Sequence, residues 1–553
     1  MKPFLQKNQR LLFYCAWLVL AFSQAASTEL IADEAYYWVY SKYLSWGYFD
    51  HPPMIALLIK CGYSFFHNEL GVRLLCVLLS TGTVYLTEKL TERKNSFLFY
   101  SIVLSLGILQ IAGFLAVPDT PLLFFTALFF YCYRLYTNNI NWKNALLLGI
   151  TTTLLFYTKY HGVLIVIFSL LSNIKLLTRK QTWLAGIVVL ILFAPHLLWQ
   201  WENNWVSIRY HLFESNVDEY KISYTTDYLL IQLLLAGPFA GLLLIPAALI
   251  YKTKNETEKA LKFTMIGVYL FFLVSSFRGK VEGNWTLPVL IPLIVLSHKY
   301  IEERFSLLKI IRIVFIVSLP LILAVRIYLA TDLGPQNSLI GRFRHHKEWA
   351  KAITDKTGNT PVVFYSSYQR ASLYWFYSGK PSHSHNALDE RRNNYDFWPT
   401  EDQLLGTPVY MADTHRISSF TDSIQTAKGW LGIYLDTSYS ALGSIKFIPE
   451  QINFLNGKLN VIFKREMSRW YFSFLISNPE LKTELLIGIF KGKNLVKEIY
   501  TGIKIQQLTE ARDYNFLTNH LDLATGKYNL RFAIVSKDYP PTHNSDKFDL
   551  IIP

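Results

Sequence analysis

The segment Ile31-Ala32-Asp33-Glu34-Ala35-Tyr36-Tyr37-Trp38 comes shortly after the first apolar run of the chain, residues 11–27. Two adjacent carboxylates where a membrane span meets water are costly to desolvate and are usually kept for a function. A second acid, Asp119, lies between two later apolar runs. The pattern predicts a helical membrane protein, and acids on one side of the membrane would indicate an enzyme that works at that surface.

The composition divides the chain into a membrane part and a soluble part. Of the 553 residues, 51% are hydrophobic and 16% aromatic, and apolar runs of spanning length recur up to about residue 330. We predict a transmembrane domain over residues 1–330, a soluble α/β domain over 331–440 and a β-sandwich-like domain over 441–553. The net charge of +14 is explained by basic loops between spans, so no nucleic-acid partner is predicted.

The β-sandwich prediction rests on short apolar stretches that alternate with polar residues. Such stretches predict strands at Leu459–Phe463, Trp470–Ile476, Leu485–Phe490, Ile499–Ile505, Tyr528–Val535 and Phe548–Ile552. The four cysteines all precede residue 133, so the soluble part has no disulfide framework.

The distribution of lysine and arginine predicts the topology. Eleven spans are predicted, at 11–27, 71–88, 96–117, 120–137, 144–158, 162–177, 183–198, 227–250, 262–277, 284–298 and 309–329. With the N-terminus inside, the inner segments carry seventeen lysines and arginines and the outer segments seven, as the positive-inside rule requires. The odd number of spans then puts the C-terminal domains on the outer side of the membrane.

The first outer loop is predicted to hold two helices that lie in the membrane interface, over Asp33–Ser45 and Pro52–Phe66. The second run is apolar but short, and a crossing there would reverse the charge bias of every later loop. At the N-terminus an alternative stays open, because Ser23-Gln24-Ala25-Ala26-Ser27 also has the small residues of a signal-peptide cleavage site.

This topology collects acids and bases on the outer face, although only lysine and arginine were used to derive it. The set comprises Asp33, Glu34, Asp50, His51, Asp119, Lys159, His161, Glu202, Arg209, His211, Arg278, Lys280 and Glu282. Carboxylates serve as general bases, and lysine, arginine and histidine bind phosphate. Together with an apolar groove for an isoprenoid tail, these groups suit sugar transfer from a lipid phosphate.

Four segments resemble motifs of the GT-C glycosyltransferases. They are Asp33-Glu34 after the first span, Tyr48-Phe49-Asp50-His51-Pro52-Pro53, Pro118-Asp119-Thr120-Pro121 and Thr158-Lys159-Tyr160-His161-Gly162. Within that group the chain is similar to the protein O-mannosyltransferases and the aminoarabinose (lipid A) transferases, families 39 and 83, over about residues 10–330. The resemblance implies a polyprenyl-phosphate-sugar donor and inversion of the anomeric centre.

The resemblance also implies roles for individual residues. Asp33 would be the catalytic base, with Asp119 and Glu34 assisting. Asp50 and His51 would lie near the donor phosphate, where aminoarabinose transferases have an acid followed by lysine, so the histidine weakens the case for that sugar. Substrate binding is predicted for Asp50, His51, Lys159, His161, Arg209, Arg278, Lys280 and Glu282. No cofactor is required, although carboxylate plus imidazole also makes Asp50 and His51 candidate ligands for zinc, manganese or magnesium.

Each of these residues also has a structural explanation. Asp33 and Asp119 are suited to cap helices, and Glu34 to favour a helix dipole in the first turn. Lys159 is placed where a lysine extends from a span end toward water. Histidines at a membrane interface, such as His51 and His161, more often have their hydrogen bonds satisfied by neighbouring groups than bind a metal.

The sequence therefore predicts an inverting glycosyltransferase that moves a hexosyl or pentosyl group from a polyprenyl phosphate to a lipid, glycan or protein on the periplasmic face. The alternative is a transporter or flippase of lipid-linked anions, in which the same basic groups only bind. A transporter should show internal repeats and acids or broken helices at the bilayer midplane, and the sequence shows neither.

Overall fold

The computed structural model describes residues 2–214, 219–331, 333, 339–508, 510 and 512–553. The chain forms two compact units, a helical unit over Met1–Arg344 and a C-terminal unit over His345–Pro553. The helical unit thus ends fourteen residues after the predicted domain boundary at 330. Apart from residues 331–344, both predicted soluble regions fall within the C-terminal unit.

The helical unit is built from helices that are joined mostly by short loops. They are α1 (Lys2–Ser27), α2 (Ala32–Tyr40), α3 (Met54–Tyr63), α4 (Glu69–Leu90), α5 (Ser96–Ser105), α6 (Gly107–Ala112), α7 (Asp119–Asn138), α8 (Trp142–Thr158), α9 (Gly162–Ser172), α10 (Lys180–Glu202), α11 (Val206–Arg209), α12 (Ile222–Leu235), α13 (Gly241–Ile250), α14 (Glu256–Ser275), α15 (Leu290–Glu302) and α16 (Phe305–Ala330). Their facing sides share one large apolar core.

Each predicted span coincides with helical structure, but the helices differ in length. Among the described residues, four helices are long and apolar enough to cross a membrane, within α1, α4, α10 and α16. Several others are shorter or interrupted, so the number of eleven crossings stays a prediction. The two predicted interfacial helices are present as α2 and α3.

Two predicted spans are interrupted for local reasons. The run 96–117 is split into α5 and α6 at Leu106, whose backbone leaves the helical region with φ −92° and ψ 86°. The run 227–250 is split into α12 and α13 around Gly237, which has φ +85° and precedes a proline. A positive φ favours glycine, and proline has no N–H to continue a helix. Broken helices, which the sequence had not indicated, are therefore part of this fold.

The C-terminal unit contains three sheets. Its elements are α17 (His346–Thr357), β1 (Val362–Tyr365), α18 (Tyr368–Ser378), β2 (Ser382–His385), β3 (Val409–Asp413), β4 (Asp422–Thr426), β5 (Gly429–Asp436), β6 (Lys446–Leu455), β7 (Lys458–Glu466), α19 (Arg469–Ser477), β8 (Thr483–Lys491), β9 (Asn494–Tyr500), β10 (Tyr514–Leu517), β11 (Gly526–Ser536) and β12 (Phe548–Ile552). The first sheet has the order β2-β1-β3-β5-β4, with β1 parallel to β2 and β3.

The other two sheets pack face to face as a sandwich. Their orders are β10-β7-β6 and β12-β11-β8-β9, and their inner faces share one apolar core. Phe463 of β7 lies 4.9 Å from Phe532 of β11, measured between ring centroids. The buried carboxylate of Glu401 ties the two regions together, because it accepts hydrogen bonds from the backbone N–H groups of Gly443 and Ser444 and from the Tyr471 hydroxyl.

Two strand predictions were wrong. Trp470–Ile476 is part of helix α19, because the Ser468 side chain caps the helix and because Tyr471 and Leu475, four residues apart, form its buried face. The strand predicted over Ile499–Ile505 is instead β9, which ends at Tyr500 and is followed by a loop and a single 3-10 turn.

Candidate active site

A buried ion pair between Glu34 and Arg73 holds the start of α2 against α4. Arg73 Nε lies 2.7 Å from Glu34 Oε1, and Nη2 lies 2.5 Å from Oε2. Both side chains are fully buried. The other N–H groups of the guanidinium donate to the carbonyls of Ala25, Thr28 and Glu29 at the end of α1 and in the turn after it. Glu34 is thereby committed to a structural contact, in contrast to its predicted catalytic role.

The same carboxylate fixes the segment that leads into α7. Glu34 Oε1 accepts a hydrogen bond of 2.8 Å from the backbone N–H of Ala116, three residues before Asp119. The starts of α2 and α7 are therefore joined through one side chain. Asp33, the neighbour of Glu34, is half-buried in the first turn of α2, where the helix N-terminus favours a carboxylate.

Asp119 is the first residue of α7 and is almost fully buried, with 5% of its surface exposed. Its Oδ1 lies 2.8 Å from the ammonium nitrogen of Lys159, at the end of α8. Its Oδ2 accepts a hydrogen bond of 3.0 Å from the side-chain amide of Asn284. Since both oxygens are engaged by hydrogen-bond donors, Asp119 is held in one orientation rather than placed as a base that is open to substrate.

Asp50 and His51, in the loop after α2, both contact tyrosine side chains of α2. Asp50 Oδ2 accepts hydrogen bonds from the hydroxyls of Tyr36 and Tyr40, at 3.2 and 3.3 Å. His51 Nε2 lies 3.1 Å from the Tyr37 hydroxyl. Burial raises the pKa of Tyr40 well above its usual value, and the nearby Tyr36 and Asp50 raise it further, so this tyrosine remains a donor.

Two further histidines, His161 and His211, lie near this part of the site. His211 Nε2 is hydrogen-bonded to the backbone carbonyl of Asp50 at 2.9 Å, and its ring lies 5.6 Å from that of Tyr160. The His161 ring packs on Trp285 at 5.7 Å. Burial lowers the pKa of His161 well below its usual value, and the nearby charges of Lys159, His211 and His51 lower it further. His161 is therefore neutral at pH 7, in a region rich in cations.

Known proteins resemble this chain in sequence and in fold. Residues 50–199 match the family model described as dolichyl-phosphate-mannose-protein mannosyltransferase. The lipid A galacturonosyltransferase RgtD of Rhizobium johnstonii is 24% identical over 288 residues, which cover 50% of this chain and 61% of the relative. ArnT from Cupriavidus metallidurans, solved in the apo state and bound to undecaprenyl phosphate, has a TM-score of 0.58 at 13% identity, over 77% of this chain and 98% of ArnT. The chain has a GT-C glycosyltransferase fold.

The resemblance to the GT-C group is thus confirmed, and the fold is of the ArnT-like type. The RgtD match spans 61% of that protein's length. Within this GT-C fold, hydrogen bonds link the motif segments or their neighbours in pairs: Glu34 with Ala116, Asp50 with Tyr36, and Asp119 with Lys159.

The GT-C fold leaves other predicted residues at its surface. Lys280 and Glu282 pair with each other at 3.0 Å, with 63% and 54% of their side-chain surfaces exposed. Arg278 and Arg209 are also exposed. The loop of Lys280 nevertheless reaches the candidate site, through Asn284 rather than through its charges.

The metal site predicted at Asp50 and His51 is not assembled in the described part of the chain. Their side chains contact separate tyrosines, and no group of three histidine, cysteine, aspartate or glutamate residues converges among the described residues.

Sequence reasoning missed Arg73, Asn284, Tyr36 and Tyr40. Arg73 had a detectable signal, because an arginine within an apolar run needs a partner. The spacing of Tyr36 and Tyr40, four residues apart on one helix face, was a second signal. Asn284 had no such signal, because nothing in the sequence around an uncharged loop residue indicates which side chain it will hydrogen-bond.

Proposed function

We propose that this protein is an inverting glycosyltransferase that moves a sugar from a polyprenyl phosphate to a lipid acceptor on the periplasmic face of the inner membrane. The observation that carries the proposal is that the half-buried Asp33 at the start of α2 is joined, through its neighbour Glu34, to the segment that leads into Asp119, whose two oxygens are held by Lys159 and Asn284. A single carboxylate that serves as base for an acceptor hydroxyl is the arrangement that a single displacement uses.

In this proposal Asp33 removes the proton from the acceptor hydroxyl as its oxygen attacks the anomeric carbon. The bond between that carbon and the phosphate oxygen breaks, and the polyprenyl phosphate leaves with the electron pair. Lys159, Arg209, Arg278 and Lys280 are the candidate partners of the departing phosphate. Lys159 has three N–H donors, and its contact with Asp119 leaves others to bind phosphate.

The relatives support a lipid-linked donor and a lipid acceptor. RgtD is a lipid A galacturonosyltransferase, and ArnT has been solved with undecaprenyl phosphate. These similarities favour transfer over the transporter alternative, although the helix breaks at Leu106 and Gly237 are of the kind that transporters also use. A polyprenyl-phosphate galacturonosyl donor is therefore the first to test, with a pentosyl donor beside it.

The test is transfer of radiolabelled sugar from polyprenyl phosphate to lipid A by the purified full-length protein. Asp33→Asn keeps the shape of the side chain and removes the base, and we expect turnover to fall by about 10²–10⁴-fold. Glu29→Gln is the matched control, because it removes a carboxylate four residues earlier in the chain.

Equal turnover by wild type and Asp33→Asn would exclude Asp33 as the base. Movement of intact donor lipid across vesicle membranes without any sugar transfer would instead support the transporter. The anomeric configuration of the product, read by NMR, tests inversion separately.

A further inference from the structure

A cavity of about 240 Å³ lies in the helical unit between α1, α4, α5 and α16. It is lined by neither Asp119 nor Asp50. Its walls are apolar and include Phe13, Ala16 and Leu323. Leu20, which also lines it, is 41% exposed, so the cavity opens toward the side of the unit that faces lipid if α1 and α16 span the membrane.

One end of the cavity carries a buried cation. Arg326, in the last turns of α16, is only 7% exposed. Its guanidinium donates to the backbone carbonyl of Leu20 at 2.5 Å and, at 3.4 Å, to that of Gln110. No carboxylate among the described residues forms an ion pair with it. Arginine stays charged in proteins, so these contacts leave its positive charge without a counter-ion in the described part of the chain.

A second donor lines the same cavity. Trp17 is 7% exposed, and its indole N–H has no acceptor among the described residues. An indole and a guanidinium are donors only. A buried donor without an acceptor costs free energy, and a charged side chain inside a membrane normally marks a partner or a pathway.

We propose that this cavity binds an anionic membrane phospholipid, with its phosphate against Arg326 and Trp17 and one acyl chain along α1 and α16. The two donors complement a phosphate, and the apolar walls complement a hydrocarbon chain. Arg326 lies four residues before the end of α16, which is about 6 Å along the helix axis, so the phosphate would lie near the depth of lipid headgroups.

A purely structural role for Arg326 would explain only part of the geometry. Its carbonyl contacts link α16 to α1 and α6, and such links would survive without any ligand. They do not provide a counter-ion for the guanidinium or an acceptor for the Trp17 indole. The two roles therefore differ in whether the variants change lipid binding or only stability.

The experiment is native mass spectrometry of the delipidated full-length protein, titrated with dioleoyl phosphatidylglycerol. We expect one lipid to bind to the wild type and at least about ten-fold weaker binding to Arg326→Gln, as for loss of a charged hydrogen bond. Arg312→Gln is the matched control, because Arg312 is exposed on the same helix and its loss removes the same charge. Dioleoylglycerol, which lacks phosphate, should not bind.

Two further variants test the site without removing the arginine, in case Arg326→Gln does not fold. Trp17→Phe deletes the indole N–H and should weaken binding of phosphatidylglycerol several-fold. Ala16→Trp fills the apolar part of the cavity and should abolish it. Unchanged binding by Arg326→Gln, or by both other variants, would overturn the proposal.

Competition assigns the source of the phosphate. Inorganic phosphate should fail to displace phosphatidylglycerol, because it gains nothing from the apolar walls. Displacement by an equal concentration of undecaprenyl phosphate would overturn the proposal and assign the cavity to a lipid-linked donor. None of these measurements depends on sugar transfer, so they stand apart from the test of the proposed function.

Discussion

Replacing Glu34 by glutamine should destabilise the helical unit by about 3–5 kcal/mol, the cost of breaking a buried ion pair on one side. Glu34 and Arg73 are fully buried and share two hydrogen bonds, of 2.7 and 2.5 Å. The amide keeps an oxygen for the Ala116 N–H but loses the negative charge. Since arginine does not deprotonate in proteins, the variant leaves the buried cation of Arg73 without the negative charge of Glu34.

The free energy can be measured by reversible unfolding of the purified protein in mixed micelles with a rising fraction of SDS. The double variant Glu34→Gln with Arg73→Gln removes both charges, so its loss should be smaller than the sum of the two single losses. Lys280→Gln breaks an ion pair in which 63% and 54% of the two side-chain surfaces are exposed, and it should change stability by less than about 1 kcal/mol. Wild-type stability of Glu34→Gln, or additive losses in the double variant, would refute the reasoning.

Three other substitutions test separate parts of the chain. Lys159→Met should cost about 3–5 kcal/mol in the same unfolding assay, because it leaves the buried carboxylate of Asp119 without its cation; a loss below 1 kcal/mol would contradict this. Gly47→Ala should lower the free energy of unfolding by about 1–3 kcal/mol, because the added carbon would lie 2.3 Å from a tryptophan ring of α10. Gly186→Ala is its control and should leave stability unchanged, because no atom lies within 4 Å of the added carbon. Burial lowers the pKa of His383 from 6.5 to about 3, so below pH 6.5 the unfolded chain binds a proton that the folded chain does not. The free energy of unfolding is therefore highest above pH 6.5 and falls as the pH drops toward 3, by about 2 kcal/mol at pH 5. Hydrogen exchange of the C-terminal unit should show this loss in the wild type and a flatter pH dependence in His383→Gln.

The candidate site was predicted in its parts but not in its pairings. Asp119 and Lys159 were each singled out by position, and neither was expected to neutralise the other. Asp50 and His51 were read as possible metal ligands, whereas the tyrosines of α2 occupy both side chains. The residues that engage these groups lie on other elements, so the pattern around each motif carried no information about them.

The failure at Trp470–Ile476 has a related cause. A short apolar stretch with aromatic residues fits a strand and a helix about equally well. The cap at Ser468 and the burial of Tyr471 and Leu475 against the sandwich core select the helix. The break at Leu106 shows the same limit inside the membrane part, because an uninterrupted apolar run gave no sign of it.

Hydropathy along the chain was enough to place most helices, to separate the helical unit from the sheets and to indicate that the acids gather at helix ends. These properties depend on the free energy of transferring each side chain out of water. That free energy is set mainly by the type of residue and little by its neighbours. Whether Glu34 would be catalytic or structural depended instead on Arg73, 39 residues away. Only packing decides such a role, because the energy of a charge is set by the groups within a few ångströms of it, and those groups come from distant parts of the chain.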